Sequence, residues 1–241
     1  MKGLNRLGTG LGVLLILAWC LLPVVWIVSL SFKSQEAVTN GSPGFLPFGD
    51  EWTGLDNYKQ VLQDGDFLLA IRNSLVVSLS ATILSVIVAT LAAYAIARLE
   101  FAGKKFVLTT ALVIAMFPVV SLVGPLFDVW RTIGLYDTWY GLIIPYISFT
   151  LPLAAPGVFT AAILTFFFAW NDFVFGISLT STERARPIPA ALSFFVGADP
   201  FNRPASLLAA GTVVATIPIV IIVLVFQRKI VAGLTAGAVK G

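Results

Sequence analysis

The sequence predicts an all-α, polytopic membrane protein with about six transmembrane helices, and three observations predict it. Of 241 residues, 58% are hydrophobic and 11% charged, where soluble domains carry about 25% charged residues. Apolar stretches of bilayer-spanning length, about 20 residues, recur along a chain whose mean hydropathy is +0.95. The Lys and Arg residues gather at the ends of those stretches, where they act as topology signals. A water-soluble fold is excluded. The net charge of +3 forms no basic cluster of the kind that binds nucleic acid. With no histidine and one cysteine, His- or Cys-based metal sites, catalytic triads and disulfide frameworks are ruled out.

The first ten residues carry Lys2 and Arg6, and residues 11–32 follow without a charge. That run exceeds the apolar region of a signal peptide, so it reads as an uncleaved first span with the amino terminus in the cytoplasm. Residues 33–67 are polar, poor in positive charge and rich in Gly and Pro, as an outside loop should be. Within them, DNYKQVL at 56–62 predicts a short surface helix with Asp56 as its N-cap.

A second span is predicted over residues 74–97. Ser74, Ser78, Thr82 and Ser85 recur on one face of it, either for close packing against a neighbour or to line a polar path. The basic turn at 98–105 belongs in the cytoplasm. The third span, residues 106–127, contains Pro118, Gly124 and Pro125. It is either kinked or broken, with Phe117 beside the break. Trp130, Trp139 and Tyr140 mark the return to the outer interface.

Residues 141–180 do not add up to a whole number of spans. The stretch is apolar throughout, with Asp172 its only charge, too long for one crossing and too short for two. The last span, residues 206–226, is followed by the basic Arg228 and Lys229, so the carboxyl terminus also belongs in the cytoplasm. Parity then requires residues 141–180 to cross twice and 181–205 to lie outside. A cytoplasmic segment is therefore missing near residues 152–156, between Pro152 and Pro156.

The residues also resemble a known family. FQRKIVAGLTAGAVKG at 226–241, ARLEFAGK at 97–104, YDTWYGLIIP at 136–145 and FAWND at 168–172 resemble the maltose-type permease subunits of bacterial ATP-binding-cassette (ABC) sugar importers. Within that family the chain is most similar to the permeases of trehalose importers. The resemblance covers essentially the whole chain and implies the type I ABC importer permease fold, as a single transmembrane domain over residues 1–241. Members of the family carry a cytoplasmic coupling helix with a Glu-Ala-Ala…Gly motif between the fourth and fifth spans. That motif is absent from these 241 residues. Either the natural chain carries a connector that this sequence omits, or the protein lacks it and is uncoupled; the intact flanks favour the first.

The resemblance further implies an alternating-access pathway for a sugar, expected to be a disaccharide such as trehalose or maltose, in the bacterial plasma (inner) membrane. The implied partners are a second homologous permease subunit, two copies of an ATPase subunit and an extracytoplasmic sugar-binding (lipo)protein. No phosphate-binding loop occurs in the sequence. No cofactor is therefore expected in this chain, which is read as a transport subunit rather than an enzyme, with ATP and Mg in the partner ATPase. Trp170, Asn171, Asp172, Phe117 and Ser78 are the candidates for the substrate pathway; Asp172 is alternatively an interfacial anchor with its Trp-Asn neighbours. Arg184, Arg186, Asp199 and Arg203 are the candidates for contact with the binding protein. Gly233, Leu234, Thr235, Ala236 and Gly237 are the candidates for the ATPase interface. The competing class, an ion-coupled secondary transporter, has one candidate carboxylate and no repeated halves to support it.

Overall fold

A run of apolar residues in lipid must satisfy its own backbone hydrogen bonds, and the helix is the single-segment solution. A computed structural model describes residues 2–41, 44–45, 51–150, 158–195 and 204–238, and among them every regular element is helical apart from one isolated bridge, Lys33 with Trp52. Among the described residues, three stretches are long and apolar enough to cross a membrane: Gly8–Ser31, Gly65–Arg98 and Ala205–Ile230. They belong to α1 (Lys2–Ser31), α4 (Gly65–Arg98) and α11 (Ala205–Ala238). The stretches predicted for the other crossings form shorter helices.

The described residues cluster into two compact units, Met1–Asp64 with Phe195–Thr216, and Gly65–Phe194 with Ile217–Gly241. In the first, the chain leaving α1 folds back on that helix's end through α2 (Gln35–Asn40) and α3 (Asp56–Gln63). Asn57 Nδ2 donates to the carbonyls of Ser31 and Lys33, both at 2.9 Å, and the Ser31 and Tyr58 hydroxyls lie 2.6 Å apart. Lys33 is fully buried, and its charge is met by Glu51 at 3.2 Å and by the Gly44 carbonyl. One expectation for α3 is corrected. Asp56 is not the N-cap: Leu55 holds that position without a side-chain bond, and Asp56 is the first helical residue, paired with Lys59 at 2.9 Å. The helix lies at the surface as expected, with most of its residues exposed and Val61 wholly buried beneath it.

The second unit is organised on α4. Its buried residues Phe67, Ala70, Ser74, Val77, Ser78, Ala81, Ser85 and Ala89 recur every three or four positions, which makes one seam along the helix. Small side chains on that seam let α7 (Trp139–Thr150) and α8 (Val158–Asn171) pack closely against it.

The third predicted span is broken. Helix α5 (Lys104–Ala115) ends in tight turns at Met116 and Phe117, and Pro118 is extended, with ψ 114°. A short 3₁₀ turn, Val119–Leu122, leads into α6 (Val123–Ile133). Pro118 has no N–H to continue the ladder, whereas Pro125 lies in the first turn of α6, where none is needed. Glycine 134, at φ 77°, ends α6 in the left-handed conformation.

Helix α8 is followed after a two-residue joint by α9 (Val174–Leu179), and α10 (Ile188–Phe194) packs on α9. A Cβ on Gly176 would lie 2.8 Å from Pro187 and 3.3 Å from Ala190, so the close approach of these two helices requires glycine there. Pro152 to Pro156, where a segment is expected to be missing, lies outside the described residues.

Candidate functional site

The two ends of the 141–180 stretch meet. Asp137, just before α7, accepts hydrogen bonds from Ser181 N (3.0 Å), Thr182 N (3.1 Å) and the Thr182 hydroxyl (2.6 Å), just after α9. Its own N–H donates to the Leu179 carbonyl at 2.9 Å. Asp137 reaches these groups from φ 57°, a conformation that Asp tolerates better than most residues. A chain that leaves this end along α7 and returns to it along α8 and α9 has travelled out and back.

The same end of the unit is held by a polar network centred on α4. Asn73, 1% exposed, uses its whole amide: Nδ2 donates to the carbonyls of Glu183 (2.8 Å) and Arg186 (3.0 Å), and Oδ1 accepts from Trp139 Nε1 (3.0 Å). One residue on, Ser74 Oγ accepts from Ile188 N at 2.8 Å. Trp130 Nε1 donates to the Gly141 carbonyl at 2.7 Å. Position 141 admits only glycine, since a Cβ there would lie 2.3 Å from the Leu135 carbonyl oxygen and 3.0 Å from Trp130. Three residues of YDTWYGLIIP, Asp137, Trp139 and Gly141, thus have defined mechanical roles at this end.

Around this network opens a pocket of about 520 Å³, lined by Leu69, Arg72, Asp137, Thr138, Trp139, Tyr140, Arg184 and Ala185. The Arg72 guanidinium lies 5.3 Å from the centre of the Trp139 ring. Arg184 was expected at a partner surface; it is exposed and lines the pocket. Arg186 is placed differently. It is buried, with Nη2 donating to the Ser181 carbonyl (2.7 Å), Nη1 3.3 Å from Glu183 and the guanidinium 4.1 Å from the Phe194 ring centre. Those bonds hold the loop together from inside. Asp199 and Arg203 lie outside the described residues.

The pathway candidates are not brought together as one surface. Asp172 Oδ2 accepts from Tyr146 Oη (2.9 Å), Phe175 N (2.9 Å) and Gly176 N (3.2 Å). It thereby takes up two N–H groups of the first turn of α9, one residue before the N-cap Phe173, and ties the joint to α7, with Tyr146 fully buried. Trp170 is buried and stacked on Phe166, ring centres 5.5 Å apart. Ser78 is buried, its hydroxyl donating to the Ser74 carbonyl at 2.6 Å. Asn171 and Phe117 are exposed. Residues 233–237 lie in the helical backbone of α11, and their side chains lie outside the description.

Sequence reasoning missed Asn73, Asp137 and Arg72 as site residues. Asn73 had a signal, a carboxamide at the mouth of an apolar span, where a polar group must find partners. Asp137 lay within a quoted motif, but its role depends on residues 44 and 45 positions away.

The chain is similar along nearly its whole length to known proteins. It is 43% identical to the trehalose transport system permease protein SugB of Mycobacterium tuberculosis (strain CDC 1551 / Oshkosh), covering 94% of this chain and 95% of that protein. It is 33% identical to the trehalose/maltose transport system permease protein MalG of Thermococcus litoralis, covering 99% and 98%. The second alignment extends over 280 residues against a chain of 241, which leaves at least 39 positions without a residue from this chain. The fold matches a solved structure, a bacterial ABC transporter involved in the import of the acidic polysaccharide alginate. That match has a TM-score of 0.73 at 20% identity, over 95% of this chain and 98% of the other. No protein-family model matches the chain.

Proposed function

The chain belongs to the family of sugar permease subunits of ABC importers, a transport subunit and not an enzyme, and from that premise we propose that it forms half of an alternating-access pathway for a disaccharide such as trehalose or maltose. The observation that carries the substrate class is the end-to-end likeness, at 43% identity, to a permease named for trehalose. Both compact units are parts of one permease domain. It sits in the bacterial inner membrane beside a second homologous permease, with two ATPase copies supplying ATP and Mg chemistry from the cytoplasm. A sugar-binding (lipo)protein delivers substrate from outside. The ATPase stabilises one arrangement of the bundle over the other, and only that difference moves the equilibrium.

The end of the second unit that carries Asp137, Trp139 and residues 181–186 faces outward, and the basic turn at 98–105 faces the cytoplasm, as do both termini. The positive flanks of the spans support this orientation. A cytoplasmic connector belongs between α7 and α8. The fourteen residues of α8 and six of α9 rise about 30 Å together, close to the thickness to be crossed, whereas the twelve residues of α7 rise about 18 Å and fall well short. The missing stretch therefore completes the fourth crossing and supplies the helix that docks on the ATPase; the alignment excess of at least 39 positions supports this. An intact mass several kDa above 25.8 kDa is the expected result, and a mass equal to it overturns this point.

Asn171 and Phe117 are the pathway candidates whose exposure suits contact with substrate. Residues 233–237 approach the ATPase. The reading as a whole is tested by purifying the chain with its partners and measuring sugar-stimulated ATP hydrolysis. Sugar uptake by the chain alone in liposomes under an ion gradient overturns it.

A further inference from the structure

The pocket lined by Arg72 and Arg184 carries charge that the protein does not neutralise. Among the described residues neither guanidinium makes an ion pair or a side-chain hydrogen bond; Arg72 has only the face of Trp139, at 5.3 Å. The carboxylate on the pocket wall, Asp137, is taken up by three hydrogen bonds from the 181–182 turn, and Glu183 by Arg186. Asn73 holds the carbonyls of Glu183 and Arg186, so Arg184, between them, is fixed beside α4.

The depth of the pocket in the bilayer follows from α4. Its 34 residues rise about 51 Å, about 20 Å more than the hydrocarbon core. Residues 73–97 carry no charge, so they are the part that lies in the hydrocarbon, and Arg72 is the charge that bounds them. Beside it, Trp139 and Tyr140 are side chains suited to a membrane interface. Beyond Arg72 the same helix face continues with Leu79, Ile83 and Ile87, all exposed, opposite the buried seam of Ser78, Ala81 and Ser85. A cationic cavity at headgroup level thus stands at the head of an apolar strip that runs into the bilayer.

We propose that this is a binding site for an anionic phospholipid: the phosphate sits between Arg72 and Arg184, and an acyl chain lies along Leu79, Ile83 and Ile87. Arg forks match the oxygens of a phosphate. A lipid phosphate is already held at this depth, at an effective concentration that a dissolved ion does not reach. The bound lipid bridges α4 and the 181–186 loop, and so braces the end of the unit that Asn73 and Asp137 tie to α7 and α9. The site needs only that α4 spans the bilayer; that its leaflet is the outer one rests on the orientation proposed above.

The test uses the chain with its partner subunits in nanodiscs, which expose both leaflets and so probe the site apart from the orientation. The discs hold equal parts of phosphatidylcholine and phosphatidylglycerol, and one or the other carries a photoreactive diazirine in its acyl chain. Adducts are mapped by peptide mass spectrometry. Phosphatidylglycerol should label residues 75–90 in excess of phosphatidylcholine, and Arg72→Gln and Arg184→Gln should each cut that preference about fivefold. The paired variant Arg72→Lys with Arg184→Lys keeps both charges and should retain most of the preference, which separates lost binding from lost folding. Equal labelling by the two lipids overturns the site, as does a preference that survives in the double glutamine variant. So does a lack of adducts on α4, which assigns its exposed face to a partner subunit. Loss of the preference on adding inorganic phosphate at constant ionic strength also overturns it, and assigns the two arginines to a dissolved ion. Labelling does not depend on transport, so a complex without sugar-stimulated ATP hydrolysis counts against the proposed function and not against this site.

Discussion

Replacing Asp172 separates two roles for the one charge in the 141–180 stretch. In the structure its Oδ2 accepts three hydrogen bonds, from Tyr146 Oη and the backbone N–H groups of Phe175 and Gly176. Asp172→Ala frees two N–H groups of the first turn of α9, a loss comparable to that of a side-chain cap, about 0.5–2 kcal/mol. It also leaves the buried Tyr146 hydroxyl without its acceptor, at about 1–3 kcal/mol more. The expected loss is about 2–4 kcal/mol. Tyr146→Phe removes only the hydroxyl that donates to Asp172, whose Oδ2 keeps its two backbone donors, and should cost only about 1 kcal/mol. In the double variant the two effects should fall short of their sum, because the bond can be lost only once. The assay is thermal unfolding of the solubilised complex, read alongside uptake in vesicles at a temperature where every variant is folded. If the carboxylate holds the joint, Asp172→Ala lowers the melting temperature, and uptake falls only in proportion to folded protein. Abolished uptake with an unshifted melting temperature would refute the reasoning and return Asp172 to the substrate path.

Asp137→Ala should loosen the 179–186 turn by about 2–3 kcal/mol, from three lost bonds and a left-handed backbone that Ala adopts poorly. Faster amide exchange across 179–186 measures it, and Asp137→Asn should recover part of the loss. Gly141→Ala places a methyl 2.3 Å from a backbone carbonyl; about 1–3 kcal/mol is expected from overpacking, read as reduced yield and a lower melting temperature. Truncation of the chain before Gly233 should lower sugar-stimulated ATP hydrolysis while membrane insertion, followed by fractionation, is unaltered.

Much of this protein is determined by the sequence alone, because the bilayer is a severe solvent. Runs of apolar residues with basic flanks leave few choices, so the first, second and last spans are legible from length and charge. The same counting raised the expectation of a missing segment at Pro152–Pro156, which lie outside the described residues. The broken third span was half legible: Pro118 marks the place, but whether a helix bends or stops depends on what packs beside it. What the tertiary structure decided are the roles of the polar residues. Asp172 appeared as a lone charge on an apolar run, and its partner lies 26 residues away on α7. Arg186 and Arg184 are two positions apart in one loop, yet one is buried in the loop's own bonds and the other lines an open pocket. Hydrophobicity acts residue by residue and can be summed along a chain. A hydrogen bond needs a partner at about 3 Å, and which partner arrives is settled only when the helices pack.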